Sequence, residues 1–115
     1  MALEDLQEDI TPERTAELHA AGEVQLIDVR ETYEHEAGHI QGDRHLPFAR
    51  MADEAGSIDR ERPVVFYCRT GGRSATATQA FRASGYDAHN MVGGMVAWAG
   101  EGRPMDPEDG TVADH

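Results

Sequence analysis

The feature that most constrains the fold of this chain is a short apolar run that ends in a glycine-rich turn. Residues 63–67 combine a proline with branched and aromatic side chains, and residues 68–74 then bring one cysteine, two arginines and two glycines. A run this short and this apolar favours a strand buried in a parallel sheet. From Ser74 to Gly85, small and apolar residues recur at helical spacing, which predicts a helix. A strand, a tight turn and a helix therefore follow one another directly.

The rest of the chain repeats this alternation. Strands are predicted at 8–10, 24–29, 63–67 and 87–92, with a brief extended segment at 45–47. Further helices are predicted from Pro12 to Gly22, over 32–37, over 49–55 and after the glycine pair at 93–94. Strands that alternate with helices predict an α/β fold, in which an open, mainly parallel sheet carries helices on both faces.

The length of the chain, 115 residues, suits one domain with a modest core. We predict that this domain spans residues 8–104, after an N-terminal extension over residues 1–7. Residues 105–115 are rich in proline, glycine and acidic side chains. This composition predicts an acidic, mobile tail.

The balance of charge limits the partners of the protein. The formal net charge is -12, and every basic residue is an arginine. Such an excess of acid argues against binding to nucleic acid or to an anionic membrane. It favours solubility, and adaptation to high salt is the alternative explanation. Residues 1–6 lack the basic and apolar parts of a signal peptide, and no apolar run is long enough to span a membrane, so a cytoplasmic location is expected.

Cys68 is the only cysteine, so it cannot form an internal disulfide. A lone cysteine is often a small buried hydrophobe, but this one lies where a strand gives way to a helix, which is where open α/β sheets bind ligands. The adjacent glycines allow backbone N–H groups to turn toward its sulfur, and the helix N-terminus favours negative charge. We therefore predict a nucleophilic thiolate. The six histidines show no metal-ligand spacing, so no metal is expected.

Four segments together resemble the rhodanese sulfurtransferases. The segments are the loop at 68–74, the run at 26–30 with Glu31 and Glu34 after it, residues 38–42 with 46–47, and residues 93–98. The resemblance covers roughly residues 8–104 and implies a rhodanese-like fold. It also implies covalent catalysis, in which Cys68 takes sulfur from a donor such as thiosulfate and passes it from a persulfide to a thiophile.

The same resemblance assigns roles around the cysteine and implies that no cofactor is needed. The residues expected to bind the donor or the persulfide are Arg69, Thr70, Gly71, Gly72, Arg73 and Ser74. Backbone amides would stabilise the sulfur anion, and Arg73, helped by Arg69, would hold an anionic donor. A thiol or a sulfur-accepting protein would be the acceptor in the cell. Asp28 and Arg30 are expected to brace the loop through a salt bridge or hydrogen bonds.

Other functions remain as alternatives. A non-catalytic sulfur carrier of the same fold differs from the enzyme mainly in its acceptor, and the intact Cys68 loop argues against a regulatory module without activity. Phosphatases and arsenate reductases related to this fold have one more residue between cysteine and arginine, which would place arginine at position 74, where this chain has serine. The shorter loop suits one extra sulfur atom better than a tetrahedral oxyanion. The sequence therefore favours the sulfurtransferase.

Overall fold

The apolar run predicted from the sequence lies at the centre of a five-stranded sheet. A computed structural model of the protein describes residues 6–115. Within these residues the strands are β1 (Asp9–Ile10), β2 (Gln25–Asp28), β3 (Arg44–His45), β4 (Val64–Tyr67) and β5 (Ala88–Met91). Every neighbouring pair is parallel, in the order β1-β5-β4-β2-β3. The α/β fold with a parallel sheet is therefore confirmed.

Four helices connect these strands, and a fifth follows β5. They are α1 (Pro12–Ala20), α2 (Thr32–Ala37), α3 (Met51–Glu54), α4 (Gly72–Ala83) and α5 (Gly94–Gly100). The Thr11 hydroxyl accepts a hydrogen bond from the Arg14 N–H and caps α1, with Pro12 in the first helical turn. The Glu31 and Glu34 side chains form a reciprocal capping box at the start of α2.

The core has two halves, one on each face of the sheet. On one face, Phe66 packs with Met51 of α3 and with Ala77 and Phe81 of α4. On the other face, residues of α1 and α5 pack with the sheet, including Leu18, Met95 and Trp98. All four residues of β4 are buried, because helices cover both faces of the sheet at its centre.

The elements differ from the sequence prediction mainly at their ends. The predicted helix at 49–55 is only four residues of α-helix, flanked by 3-10 turns at Phe48–Arg50 and Ala55–Ser57. No side chain caps this segment, which removes one of the usual helix start signals. Helix α4 begins at Gly72, two residues before the predicted start, so its first turn belongs to the glycine-rich loop.

The acidic tail lies against the domain in this structure. Asp106 forms an isolated antiparallel bridge with His39, and Met105 and Val112 pack against the core on the α1 side of the sheet. The predicted N-terminal extension falls mostly on residues 1–5, outside the described part of the chain. Among residues 6–115, no helix is long and apolar enough to cross a membrane.

Candidate active site

The Cys68 thiol lies at the end of β4, inside a ring of hydrogen-bond donors. The side chain is buried, and its Sγ accepts hydrogen bonds from the Gly71 N–H at 3.1 Å and from the Ser74 N–H at 3.5 Å. The Ser74 hydroxyl lies 3.3 Å from the same sulfur. Gly71 makes this geometry possible, because its φ of +112° lies in the region that favours glycine. The loop therefore provides the anion-binding nest that the sequence predicts.

This ring of donors favours the ionised thiol. Burial alone raises the pKa of Cys68, but the Ser74 hydroxyl and the backbone N–H groups of the loop outweigh burial and lower the pKa below its usual value. A lowered pKa increases the fraction of reactive thiolate at neutral pH. The prediction of a stabilised thiolate agrees with this direction.

The glycine pair before α5 supports the loop from behind. The Met95 N–H donates to the Cys68 carbonyl oxygen at 2.9 Å, and the Val96 N–H donates to the Arg69 carbonyl oxygen at 3.0 Å. A Cβ atom at Gly94 would lie 2.3 Å from the Cys68 carbonyl oxygen, so only glycine fits there. The motif at 93–98 therefore holds the backbone of the cysteine loop in place.

Asn90 is a site residue that the sequence analysis missed. Its Oδ1 lies 2.5 Å from the Ser74 Oγ, and both side chains are buried. Asn90 thus holds the Ser74 side chain in place, and its Oδ1 and the Cys68 Sγ compete for the single proton of that hydroxyl. The sequence signal for this role was an asparagine within a predicted strand, because a buried polar side chain needs a hydrogen-bonding partner.

Arg73 is engaged by a buried carboxylate. Its Nη1 and Nη2 donate to Glu34 Oε1 and Oε2, both at 2.9 Å, and the Glu34 side chain is fully buried. Burial alone raises the pKa of Glu34, but the Arg73 hydrogen bonds lead the effects that lower it overall. This bidentate pair ties the start of α4 to α2. The predicted role of Arg73 in donor binding stays a prediction, and the structure adds that its guanidinium already has a partner.

The cleft in front of Cys68 has a volume of about 620 Å³. Its lining combines most of the predicted loop with two residues of the tail: Cys68, Arg69, Thr70, Gly72, Arg73, Asp114 and His115. Arg69 Nη2 lies 3.2 Å from Asp114 Oδ1, and the Asp114 side chain is almost fully exposed. The cleft is therefore closed on one side by a segment to which the sequence analysis gave no role.

Asp28 and Arg30 form a buried salt bridge, but with each other and not with the loop at 68–74 that they were expected to brace. Arg30 Nε and Nη2 donate to the two carboxylate oxygens of Asp28 at 2.9 and 2.8 Å, and both side chains are fully buried. Arg30 Nη2 also donates to the Gly38 carbonyl oxygen at 2.8 Å. The pair therefore fastens the end of β2 to the end of α2 and is not among the residues that line the Cys68 cleft.

Three of the six histidines form a stacked group, which the sequence analysis did not predict. The ring of His35 stacks on His39 and His45, with centroids 3.8 and 4.4 Å apart. His35 Nδ1 lies 2.8 Å from Asp28 Oδ2, and His39 Nδ1 lies 2.9 Å from Asp43 Oδ1. The spacing of four residues from His35 to His39, and of four more to Asp43, was the signal available in the sequence.

His35, His39 and Asp43 also bring three potential metal ligands, two imidazole nitrogens and one carboxylate oxygen, within 4.8 Å of one another. The planes of the His35 and His39 rings differ by only 20°. Because lone pairs lie in the ring planes, nearly parallel stacked rings do not direct them at one ion. Instead, His35 Nδ1 links α2 to Asp28 at the end of β2, and His39 Nδ1, after α2, links to Asp43 in the turn before β3.

Comparison with known proteins places this geometry in a family. The family model described as a rhodanese-like domain matches residues 11–101. The uncharacterized protein YqhL of Bacillus subtilis is 38% identical over 83% of this chain and 78% of its own length. The thiosulfate sulfurtransferase GlpE of Pseudomonas aeruginosa is 31% identical over 84% of this chain and 87% of its own length.

A solved structure agrees with the fold. The rhodanese-related protein of Thermoplasma volcanium superposes with a TM-score of 0.80 at 24% identity, over 86% of this chain and 97% of that one. The residues matched by the family model, 11–101, include β4, the cysteine loop and the supporting glycine pair. The chain therefore belongs to the family of rhodanese-like domains.

Proposed function

We propose that the protein is a thiosulfate sulfurtransferase that carries sulfur as a persulfide on Cys68. The observation that carries this proposal is the ring of donors around the Cys68 Sγ, with N–H groups at 3.1 and 3.5 Å and a hydroxyl at 3.3 Å. Such a ring stabilises an anion at the sulfur before and after the extra atom is added. The relative named thiosulfate sulfurtransferase supports the same chemistry.

The proposed reaction has two displacement steps. The Cys68 thiolate attacks the outer sulfur of thiosulfate, the S–S bond of the donor breaks, and sulfite leaves with the electron pair. The cysteine then carries a terminal sulfur whose negative charge faces the loop N–H groups. A thiophile attacks that terminal sulfur, its bond to Cys68 breaks, and the thiolate is restored. With cyanide as the acceptor the product is thiocyanate.

The loop residues divide this work between them. Gly71 and Ser74 supply the donors that hold the sulfur anion, and Arg69 faces the cleft where a dianionic donor would approach. Arg73 supports the loop through Glu34. The reaction needs no cofactor, and a thiol or a sulfur-accepting protein of the cytoplasm is the proposed physiological acceptor.

Intact mass spectrometry tests the proposal directly. After treatment with thiosulfate, the protein should gain one sulfur atom, and cyanide should remove it with release of thiocyanate. Cys68→Ser should show neither the gain nor any turnover, with an unchanged circular dichroism spectrum as the control for folding. Turnover by pure Cys68→Ser would overturn the proposal. Hydrolysis of an aryl phosphate without any sulfur gain would instead favour a phosphatase.

A further inference from the structure

The segment at 111–115 covers one side of the active-site cleft, and several contacts along its approach hold it there. The Thr111 N–H donates to the Ala37 carbonyl oxygen at 2.8 Å, and the Tyr33 hydroxyl donates to the Asp114 carbonyl oxygen at 3.0 Å. Val112 packs against the core. We call this segment, residues 111–115, the outer wall of the cleft.

The start of the tail fixes the direction in which the outer wall runs. The Asp106 N–H donates to the His39 carbonyl oxygen at 2.7 Å, and the His39 N–H donates to the Asp106 carbonyl oxygen at 3.0 Å. A Cβ atom at Gly38 would lie 2.6 Å from the Thr111 carbonyl oxygen, so the two backbones pass in close contact. The tail therefore crosses the end of α2 along a defined path that leads to the cleft.

The outer wall places a carboxylate beside the arginine that a donor would need. Asp114 Oδ1 lies 3.2 Å from Arg69 Nη2, and both residues line the cleft with Cys68. The other loop arginine, Arg73, is held in a bidentate pair by the buried Glu34. An anion that enters the cleft must therefore displace Asp114 from Arg69, or bind close to the negative charge of the Asp114 carboxylate.

This exchange is feasible because the Arg69–Asp114 pair is weak. The Asp114 side chain is 95% exposed and the Arg69 side chain is 33% exposed. Solvent screens such a pair, and the free-energy gain from it is small. Asp114 is therefore a competitor that an anion can displace, at a cost to its affinity. The same carboxylate leaves a neutral reagent unaffected.

We propose that Asp114 is a specificity-determining residue that selects against anionic reactants at Cys68. The inference rests on the proposed function and deepens it, since thiosulfate is a dianion. It implies that thiosulfate is a weaker donor for this chain than the ring around Cys68 alone would allow. A neutral or singly charged sulfur donor meets less opposition at the outer wall.

Two alkylating reagents of similar size test this without any sulfur transfer. Iodoacetamide is neutral and iodoacetate carries one negative charge, and Cys68 is the only thiol, so mass spectrometry follows a single site. The measured quantity is the ratio of the iodoacetate rate to the iodoacetamide rate. The ratio cancels changes in the fraction of thiolate, because both reagents attack the same ionised form.

Asp114→Asn should raise this ratio by about twofold to fivefold, the effect of losing one exposed ion-pair partner. The matched control is Asp109→Asn, which removes the same charge from an exposed tail position. The control should change the ratio by less than half as much. Salt at about 1 M, where the Debye length is about 3 Å, should bring Asp114→Asn and the wild type together.

Tyr33→Phe supplies a second variant that leaves both charges in place. It removes the hydroxyl that holds the Asp114 backbone. A smaller rise in the ratio, in the same direction as for Asp114→Asn, is expected. Equal ratios for Asp114→Asn and Asp109→Asn, or no change in either, would overturn the inference.

Thiosulfate kinetics then separate this inference from the proposed function. Asp114→Asn should lower the KM for thiosulfate by about twofold to fivefold, and it should lower the KM for cyanide by less, because cyanide carries one negative charge and thiosulfate two. If the wild type gains no sulfur from thiosulfate, the proposed function fails and the alkylation ratios still decide the role of Asp114. If the wild type gains sulfur but the ratios do not differ, only the role of Asp114 fails.

Discussion

The two sides of the Cys68 cleft each hold an arginine–carboxylate pair, but in different surroundings. On the inner side, Arg73 binds the fully buried Glu34 through two hydrogen bonds of 2.9 Å. On the outer wall, Arg69 meets Asp114 through one contact of 3.2 Å, and that carboxylate is exposed. Burial makes the inner pair part of the fold, because an unpaired charge there is costly. Exposure leaves the outer pair free to exchange with a ligand.

The largest expected effect comes from breaking the inner pair. Glu34→Gln leaves Arg73 without its carboxylate and should lower stability by about 3 kcal/mol, or about 10 °C in Tm. Because Arg73 lies in the first turn of α4 next to the cysteine loop, sulfur transfer should also fall, by about tenfold or more. Glu36→Gln is the matched control, an exposed carboxylate on the same helix. Thermal melts and cyanide turnover measure both effects, and equal melting points for the two variants would contradict the comparison.

Substitutions of the two arginines should change different quantities, KM for Arg69 and both Tm and kcat for Arg73. Arg69→Ala should raise the KM for thiosulfate by about threefold to tenfold with little change in Tm, because it removes a partly exposed charge whose partner, Asp114, is exposed. Arg73→Ala should instead lower Tm and kcat, because it leaves Glu34 buried without a partner. Arg69→Lys keeps the charge and should recover part of the affinity. If Arg73→Ala changed only KM, the original prediction of Arg73 as the donor-binding residue would be favoured.

Among the groups that lower the pKa of Cys68, neither arginine has the largest effect. A variant of Ser74 tests this order. The Ser74 hydroxyl is the first contributor that opposes burial. Ser74→Ala should therefore shift the pH profile of iodoacetamide alkylation upward and slow alkylation at neutral pH by about twofold to fivefold, the loss of one hydrogen bond. Thr76→Ala removes an exposed hydroxyl from the same helix as the control. The wild-type midpoint should lie below the usual thiol value of about 8.5. A midpoint at or above that value would show that the ring of donors does not stabilise the thiolate.

The smallest expected effect is a change with pH in the stability that the Arg73–Glu34 pair contributes. The folded pKa of Glu34 is lowered, so its contribution to stability is fully present above the unfolded value of about 4.3 and is lost as the pH falls through the folded value. The difference in Tm between the wild type and Glu34→Gln should therefore be constant near neutral pH and shrink below about pH 4. Other buried carboxylates are present in both proteins and largely cancel in this difference. A difference that grows toward low pH would contradict the assigned sign.

Much of the chemistry at the site could be predicted from local sequence. The strand at 63–67, the glycines at 71–72 and the helix after them are adjacent in the chain, so the position of Cys68 and its ring of N–H groups depends on short-range geometry. The salt bridge between Asp28 and Arg30 is also local, two residues apart at the end of one strand. Parallel pairing follows from the alternation of strands and helices.

What the sequence by itself determined is the α/β fold, the position of Cys68 and the loop that surrounds it, because each is specified by residues near one another in the chain. Only the tertiary structure decided how the two arginines are used. Glu34 is 39 residues from Arg73, and Asp114 is 45 residues from Arg69. Which acid meets which arginine depends on how α2 and the tail pack around the loop, and no spacing in the sequence encodes that packing. Burial then sets the strength of each pair, and burial is a property of the whole fold.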